Sequence, residues 1–217
     1  VSSQSAPLRP PPGRQLLSRD FIAQHQRARI IAALAREVSA KGYRAVTVAD
    51  IVRSAGIARN TFYENFSSKE SCFLAAQRFA MSEALDRVVG AAGDLDSWPK
   101  QVEAGLRAFL QYVASEPDLA RTCMVEALSA GPDALACYEE SVQVFISLFQ
   151  IGRNVSPKGK ELPATLEEAI VGGVFWLIYQ RLIDGEEDKI EDLLPEILEF
   201  ALVPYLGNRS GSRKLAR

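Results

Sequence analysis

The chain has 217 residues, 24% of them charged and 47% hydrophobic, with a formal net charge of −2. That is enough chain to bury a core without a disulfide or metal staple, and its balance is globular rather than disordered or membrane-embedded. A single histidine (His25) and three cysteines with no CxxC pair (Cys72, Cys123, Cys137) exclude HExxH and paired ExxH metal sites, a disulfide framework and an obvious triad base.

Residues 1–19 are rich in Ser, Pro and Arg, with Pro10, Pro11 and Pro12 in a row, and read as a disordered basic arm. From Asp20 the pattern is helical: Ile30, Ile31, Leu34 and Val38 fall on one stripe at 3.6 spacing, and Gly42 stands where a C-cap belongs. Thr47 and Asp50 form a TxxD capping box that opens a short helix ending at Gly56. A third helix is expected from about Ala58 to Phe66. Ser67-Ser68-Lys69-Glu70 offers an SxxE box for a fourth, running to about Val89.

Ser97 and Pro99 start a fifth helix, and further helices are expected over 117–130, 132–152, 163–184 and 189–206. Val and Ile follow helical rather than alternating periodicity, and no Asn-Gly or Asp-Gly hairpin joins two strand-like runs. The fold class is therefore all-α, with about nine helices. No Walker loop or GxGxxG appears, so no nucleotide cofactor is expected. The longest apolar run, Ala169 to Tyr179, is too short to span a bilayer, and the N-terminus has no signal-peptide core. A cytoplasmic location is the expectation.

Charge is unevenly placed. Up to Glu70 there are 11 Lys+Arg against 5 Asp+Glu, and beyond it 14 against 22, so the chain is +6 followed by −8. A basic first third on an acidic remainder outlines a nucleic-acid-reading head on a different kind of body. Two short helices around the Gly56 turn, after a longer one, describe a helix-turn-helix. Ile51, Ala55, Ile57, Phe62 and Phe66 supply its core, which leaves Arg59, Asn60, Thr61 and Tyr63 facing outward. Arginine matches guanine O6/N7, asparagine matches adenine N6/N7, and threonine offers a hydroxyl or a methyl. The Tyr63 hydroxyl suits a phosphate, and Lys69 adds charge at the start of the fourth helix.

These residues carry a resemblance. From Arg29 to Leu74 the chain resembles the DNA-binding domain of the TetR family of bacterial transcription regulators. The likeness rests on Gly42-Tyr43, Thr47-Val48 with Ile51, Ala55-Gly56-Ile57, Thr61-Phe62-Tyr63 with Phe66, and Ser68-Lys69-Glu70. Two positions depart from the family pattern: Ala58 removes the usual cap of the third helix, and Asn60 replaces a commonly small residue. The resemblance implies that the third helix enters the major groove with Arg59, Asn60 and Thr61 toward bases, while Thr47, Tyr63 and Lys69 hold phosphates. Thr47 serves equally well as a cap alone. Arg14, Arg19, Arg27 and Arg29 stand where they can reach backbone or minor groove.

For the body the resemblance implies an apolar effector cavity, with walls drawn from Phe109, Tyr112, Met124, Phe145, Phe149 and Trp176. It also implies a two-fold homodimer through the last two helices. Gly172 and Gly173 permit close helix approach there, beside Ile170, Val174 and Leu177, and facing Leu194, Ile197, Leu198 and Ala201. The expected organisation is an arm (1–19), a helix-turn-helix domain (20–67), a ligand-binding and dimerisation domain (68–207) and a disordered tail (208–217). The expected function is a dimeric DNA-binding regulator, a repressor of a pseudo-palindromic operator released by a small, mostly apolar ligand, with no catalytic or metal site. The alternative is a helical ligand-binding protein or enzyme with an incidental helix-turn-helix.

Overall fold

The computed structural model describes residues 19–93 and 95–207. Among them helices form and strands do not. The expected arm and tail lie outside the described residues, except that the first helix begins at Arg19. The head comprises α1 (Arg19–Lys41), a 3-10 turn (Tyr43–Ala45), α2 (Val48–Ala55) and α3 (Arg59–Asn65). The body begins with α4 (Lys69–Ala92), α5 (Trp98–Ser115), α6 (Pro117–Met124), the short α7 (Ala127–Ala130) and α8 (Pro132–Gln150). It continues with the single turn α9 (Gly152–Val155), α10 (Leu166–Asp184), two 3-10 turns over 187–193, and α11 (Leu194–Leu206).

The sequence pattern locates most of these elements and misplaces several ends. The stripe Ile30, Ile31, Leu34 and Val38 is buried against α2, α4 and α6. Thr47 and Asp50 make the reciprocal capping box, and Gly56 closes α2 at φ 61°, a left-handed conformation that a Cβ would strain. The box that opens α4 is one residue out of register from the SxxE reading: Ser68, not Ser67, is the cap, and Ser71, not Glu70, returns the bond. The expected single helix over 117–130 breaks between Met124 and Ala127, and that over 132–152 breaks at Ile151. The last helix starts only at Leu194, because 187–193 is wound as 3-10 turns.

The loop after α9 is fastened by a buried ion pair. Arg153 donates from Nε and Nη2 to the two Glu167 carboxylate oxygens at 2.8 and 2.7 Å, and also to the Leu162 and Pro163 carbonyls. The Tyr205 hydroxyl donates to the same carboxylate at 2.6 Å, so Glu167, only 1% exposed, has its charge fully engaged. Burial pushes the Glu167 carboxyl up, but the Arg153 and Tyr205 bonds outweigh it and hold the group below its ordinary value. Tyr205 in turn packs edge-on to Trp98, 4.7 Å between ring centres, and the backbone of Gly152 presses on the same indole.

Two outcomes are expected at this corner. A methyl group on residue 152 would fall inside the Trp98 ring, so Gly152→Ala lowers stability by about 1–3 kcal/mol in urea denaturation. Because the folded Glu167 titrates below the ordinary glutamate value of 4.5, its stabilising share is present above that pH and is lost as pH falls through the folded value. Glu167→Gln therefore lowers the neutral-pH urea midpoint and flattens the loss of stability on the acid side of pH 4.5.

Candidate nucleic-acid interface and apolar cavity

The helix-turn-helix is held from behind by α1. Arg29 donates to the Ala55 carbonyl at 2.7 Å and Arg36 to the Ser54 carbonyl at 3.3 Å, so both serve the C-terminal end of α2. Arg27 donates to the Asn65 carbonyl at 2.8 Å at the end of α3, with its guanidinium 4.3 Å from the Phe66 ring centre. Cations belong at helix C-termini, where carbonyls lack partners and the dipole is negative. Arg27 and Arg29 therefore act as fasteners of α2 and α3. Arg14 and the Arg19 side chain lie outside what the structure describes.

The front of α3 is free. Arg59, Asn60, Tyr63 and Glu64 are exposed and Thr61 is half-buried, while Phe62 is fully buried behind them. Arg59 lies along Tyr63, its Nη2 donating to the phenol oxygen at 3.4 Å. Ala58 caps α3 with backbone only, as its side chain dictates. Phe62 and Phe66 pack together behind it, 5.9 Å between ring centres, and fix the helix instead. Thr47 is exposed but committed: its hydroxyl donates to Asp50 at 2.7 Å and accepts from the Asp50 N–H.

Lys69 is placed differently from the other five head residues. Its ammonium donates to the Tyr43 and Val46 carbonyls at 2.8 and 2.7 Å and sits 4.1 Å from the Tyr43 ring centre. Burial lowers its pKa. The Tyr43 N–H donates to Glu126 Oε2 at 3.0 Å, so one residue of the 3-10 turn is gripped from α4 and from the segment after α6. On α6 itself, the buried Thr122 hydroxyl donates to the Asp118 carbonyl one turn back at 2.8 Å and shares its proton with the Ala35 carbonyl of α1 at 3.3 Å, and Arg121 donates to the Leu182 carbonyl of α10. Glu126, Thr122 and Arg121 carry no sequence signal, because their partners are backbone groups 83, 87 and 61 residues away.

The body holds two adjoining apolar spaces, each partly open to solvent. The outer one, of about 390 Å³, lies between α4, α5, α8 and α10, and Trp98, Phe109, Phe145, Phe149 and Phe175 are among its walls. Its side-chain lining is uncharged, and Gln101 is the polar side chain in it. The inner one, of about 70 Å³, reaches Leu119, Ala120, Cys123 and Met124 on α6 and also touches Tyr112. Phe109, Phe145 and Phe175 border both. Of the six residues expected to line a cavity, Phe109, Phe145 and Phe149 line the outer space, and Tyr112 and Met124 the inner one together with Phe109 and Phe145.

Trp176 lines neither space. It is 59% exposed and stacked on Tyr179, 5.5 Å between ring centres, because the α10 periodicity turns Val174, Phe175 and Ile178 inward and position 176 out. The same periodicity sorts the residues expected to dimerise. Ile170, Val174, Leu194, Ile197, Leu198 and Ala201 are buried within the single chain, so they build its own core rather than an outer face. Gly172 is exposed, and Gly173 and Leu177 are half-buried. The exposed apolar side chains on these two helices are Trp176, Ile183, Phe200 and Leu206. Burial pushes the Cys123 thiol up to about 12 and raises Cys137 as well, which keeps both protonated.

Residues 30–76 match the family model described as bacterial regulatory proteins, tetR family. A stretch of 71 residues is 37% identical to YvdT of Bacillus subtilis (strain 168), described as an uncharacterized HTH-type transcriptional regulator. That match covers 32% of this chain and spans 37% of the relative's length. Among solved structures, the fatty acid degradation regulator FadR from Bacillus halodurans superposes at a TM-score of 0.73 with 17% identity, over 85% of this chain and 96% of that one. FadR from Bacillus subtilis, solved in complex with stearoyl-CoA, gives 0.69 and 16%, over 82% and 98%. A TetR family transcription regulator from Marinobacter aquaeolei VT8 gives 0.66 and 18%, over 83% and 97%. At these identities the likeness is one of fold.

The grip on the 3-10 turn predicts that Lys69→Met leaves two carbonyls without their donor and lowers stability by about 1–3 kcal/mol in thermal or urea unfolding.

Proposed function

We propose, from a chain whose residues 30–76 match the tetR family model, that the protein is a DNA-binding transcription regulator acting as a homodimeric repressor. The observation that carries this reading is the outer face of α3. Arg59, Asn60 and Tyr63 are exposed on a helix whose rear is locked by Phe62, Phe66 and the α1 arginines. Such a helix presents base-reading donors on a rigid mount, which is what major-groove recognition requires. Arg59, Asn60 and Thr61 face bases and Tyr63 faces a phosphate, while Thr47, whose hydroxyl is committed to Asp50, caps α2. Lys69, whose ammonium is committed to two carbonyls, positions the turn rather than a phosphate.

The exposed apolar face of α10 and α11 supplies the dimer contact in this reading, with Trp176 and Phe200 at its centre and Gly172 allowing close approach. Two heads so paired read a pseudo-palindrome with half-sites about one helical turn apart. The outer space takes the effector. An uncharged cavity of about 390 Å³ holds on the order of a dozen methylene-sized groups and suits an alkyl or acyl chain. The fold likeness to a regulator solved with stearoyl-CoA supports that class of ligand. Release runs through α6, which borders the inner space with Cys123 and Met124 and is bonded to α1 through Thr122. Displacing α6 then shifts the head relative to its partner, with a coupling of about 1–3 kcal/mol.

The test is selection of binding duplexes from a randomised library, then fluorescence anisotropy over a range of salt concentrations. Sequence-selective binding with a negative log–log salt slope is expected. Arg59→Ala with Asn60→Ala weakens discrimination between sites by about 1–3 kcal/mol for each base pair no longer read. Lys69→Met leaves the salt slope unchanged, whereas a phosphate-holding lysine would lower it by about one. Binding indifferent to sequence would overturn the reading. Trp176→Asp with Phe200→Asp gives monomers in sedimentation velocity, with folding intact and operator affinity reduced at least about tenfold. A dimer that survives would move the interface elsewhere.

A further inference from the structure

The inner space carries two features that an apolar effector site does not explain. Gln77, 4% exposed, donates its Nε2 to the Ala134 carbonyl at 3.0 Å, which fixes the amide orientation and leaves Oε1 buried with no partner. Tyr112, 6% exposed, has a buried hydroxyl that is likewise without a partner. Both residues line the same 70 Å³ chamber. Buried polar atoms are seldom left unpaired, and two of them, on α4 and α5, bordering one small space call for a shared occupant. Of the other two hydroxyl-bearing side chains on the wall, Ser141 already donates to the Cys137 carbonyl and the Tyr138 ring packs edge-on to Phe175.

We infer that the inner chamber is an end-group subsite for an uncharged hydroxyl, and that the effector is an apolar molecule carrying one. The inference rests on reading the outer space as an effector site. A hydroxyl supplies what the two atoms lack: its proton goes to Gln77 Oε1, and its oxygen accepts from the Tyr112 hydroxyl. Burial raises the Tyr112 pKa, so the phenol stays a donor. A carboxylate fits badly, because Glu116 is on the chamber wall and no cation lines it.

Size sets the rest. The chamber holds roughly two water-sized groups, an end group and not a ligand. The body of the molecule occupies the outer space, across the wall of Phe109, Phe145 and Phe175, whose ring centres are 4.9 to 5.9 Å apart. The end group reaches the chamber past these three rings, which border both spaces. It then lies against Cys123 and Met124 on α6, the helix bonded to the head.

The experiment is calorimetric titration of the full chain with 1-decanol and with its methyl ether, which keeps the oxygen but has no proton to give. The alcohol is expected to bind about tenfold more tightly. Gln77→Leu brings the alcohol to the affinity of the ether while leaving the ether unchanged, whereas Tyr112→Phe, which keeps the ring volume, weakens both probes alike because both oxygens lose the same donor, with folding checked by circular dichroism. Equal affinity of the two probes for the unmodified chain would overturn the hydroxyl subsite, leaving a chamber that holds water while the apolar effector site stands. Binding of neither would remove both.

Discussion

One residue at the junction of head and body is gripped from both sides. The Tyr43 carbonyl accepts from Lys69 at the start of α4, and the Tyr43 N–H donates to Glu126 beyond α6. Both partners are charged side chains meeting neutral backbone, and such bonds are about twice as strong as neutral ones. Gly42, at φ 79°, turns the chain into this grip, and the Tyr43 ring is packed edge-on against Phe73 of α4. The head is therefore fixed to two separate body elements at this residue, in addition to the packing of α1 on α4 and α6.

That arrangement joins the cavity to the recognition surface in few steps. Phe109, Phe145 and Phe175 separate the outer space from the inner one, and the inner one ends on α6. Thr122 and Arg121, on that same helix, tie it to α1 and to α10. An occupant of the cavity, the proposed interface between copies and the α3 surface thus meet in a helix of eight residues. Close packing makes such a junction bistable rather than soft, so a small displacement is passed on instead of being absorbed.

Local chemistry is legible in the sequence, and orientation at a distance is not. The α1 stripe, the Thr47 box and the Gly56 cap are fixed by neighbours within a few residues, and the structure has them as read. The α4 cap slips by one because Ser67 alone matches the SxxE pattern, while Ser68 takes its return bond from Ser71, a residue type that pattern does not name. Trp176 is expected inside because aromatic residues usually are; its outward face follows from the phase of α10 relative to α8 and α11. Phase likewise turns Ile197 and Ala201 inward on α11, where a chain read alone offers them equally to a partner. Lys69 stands where an anion site belongs, and nothing in its own segment foretells that the carbonyls of Tyr43 and Val46 take its charge.

The basic character of the first seventy residues has a second meaning once its partners are known. Arg27, Arg29, Arg36 and Lys69 face carbonyls of the head, and Lys41 and Arg53 pair with Asp50. Among the described head side chains, that leaves Arg44 and Arg59 without a carbonyl or carboxylate partner. Most of the charge that looks like affinity is joinery. Ionic strength then acts on the head twice, screening the few outward cations and loosening the exposed inward ones by the same physics. A chain that moved to a saltier interior would have to replace its fasteners with apolar packing before it could recover its grip on any polyanion.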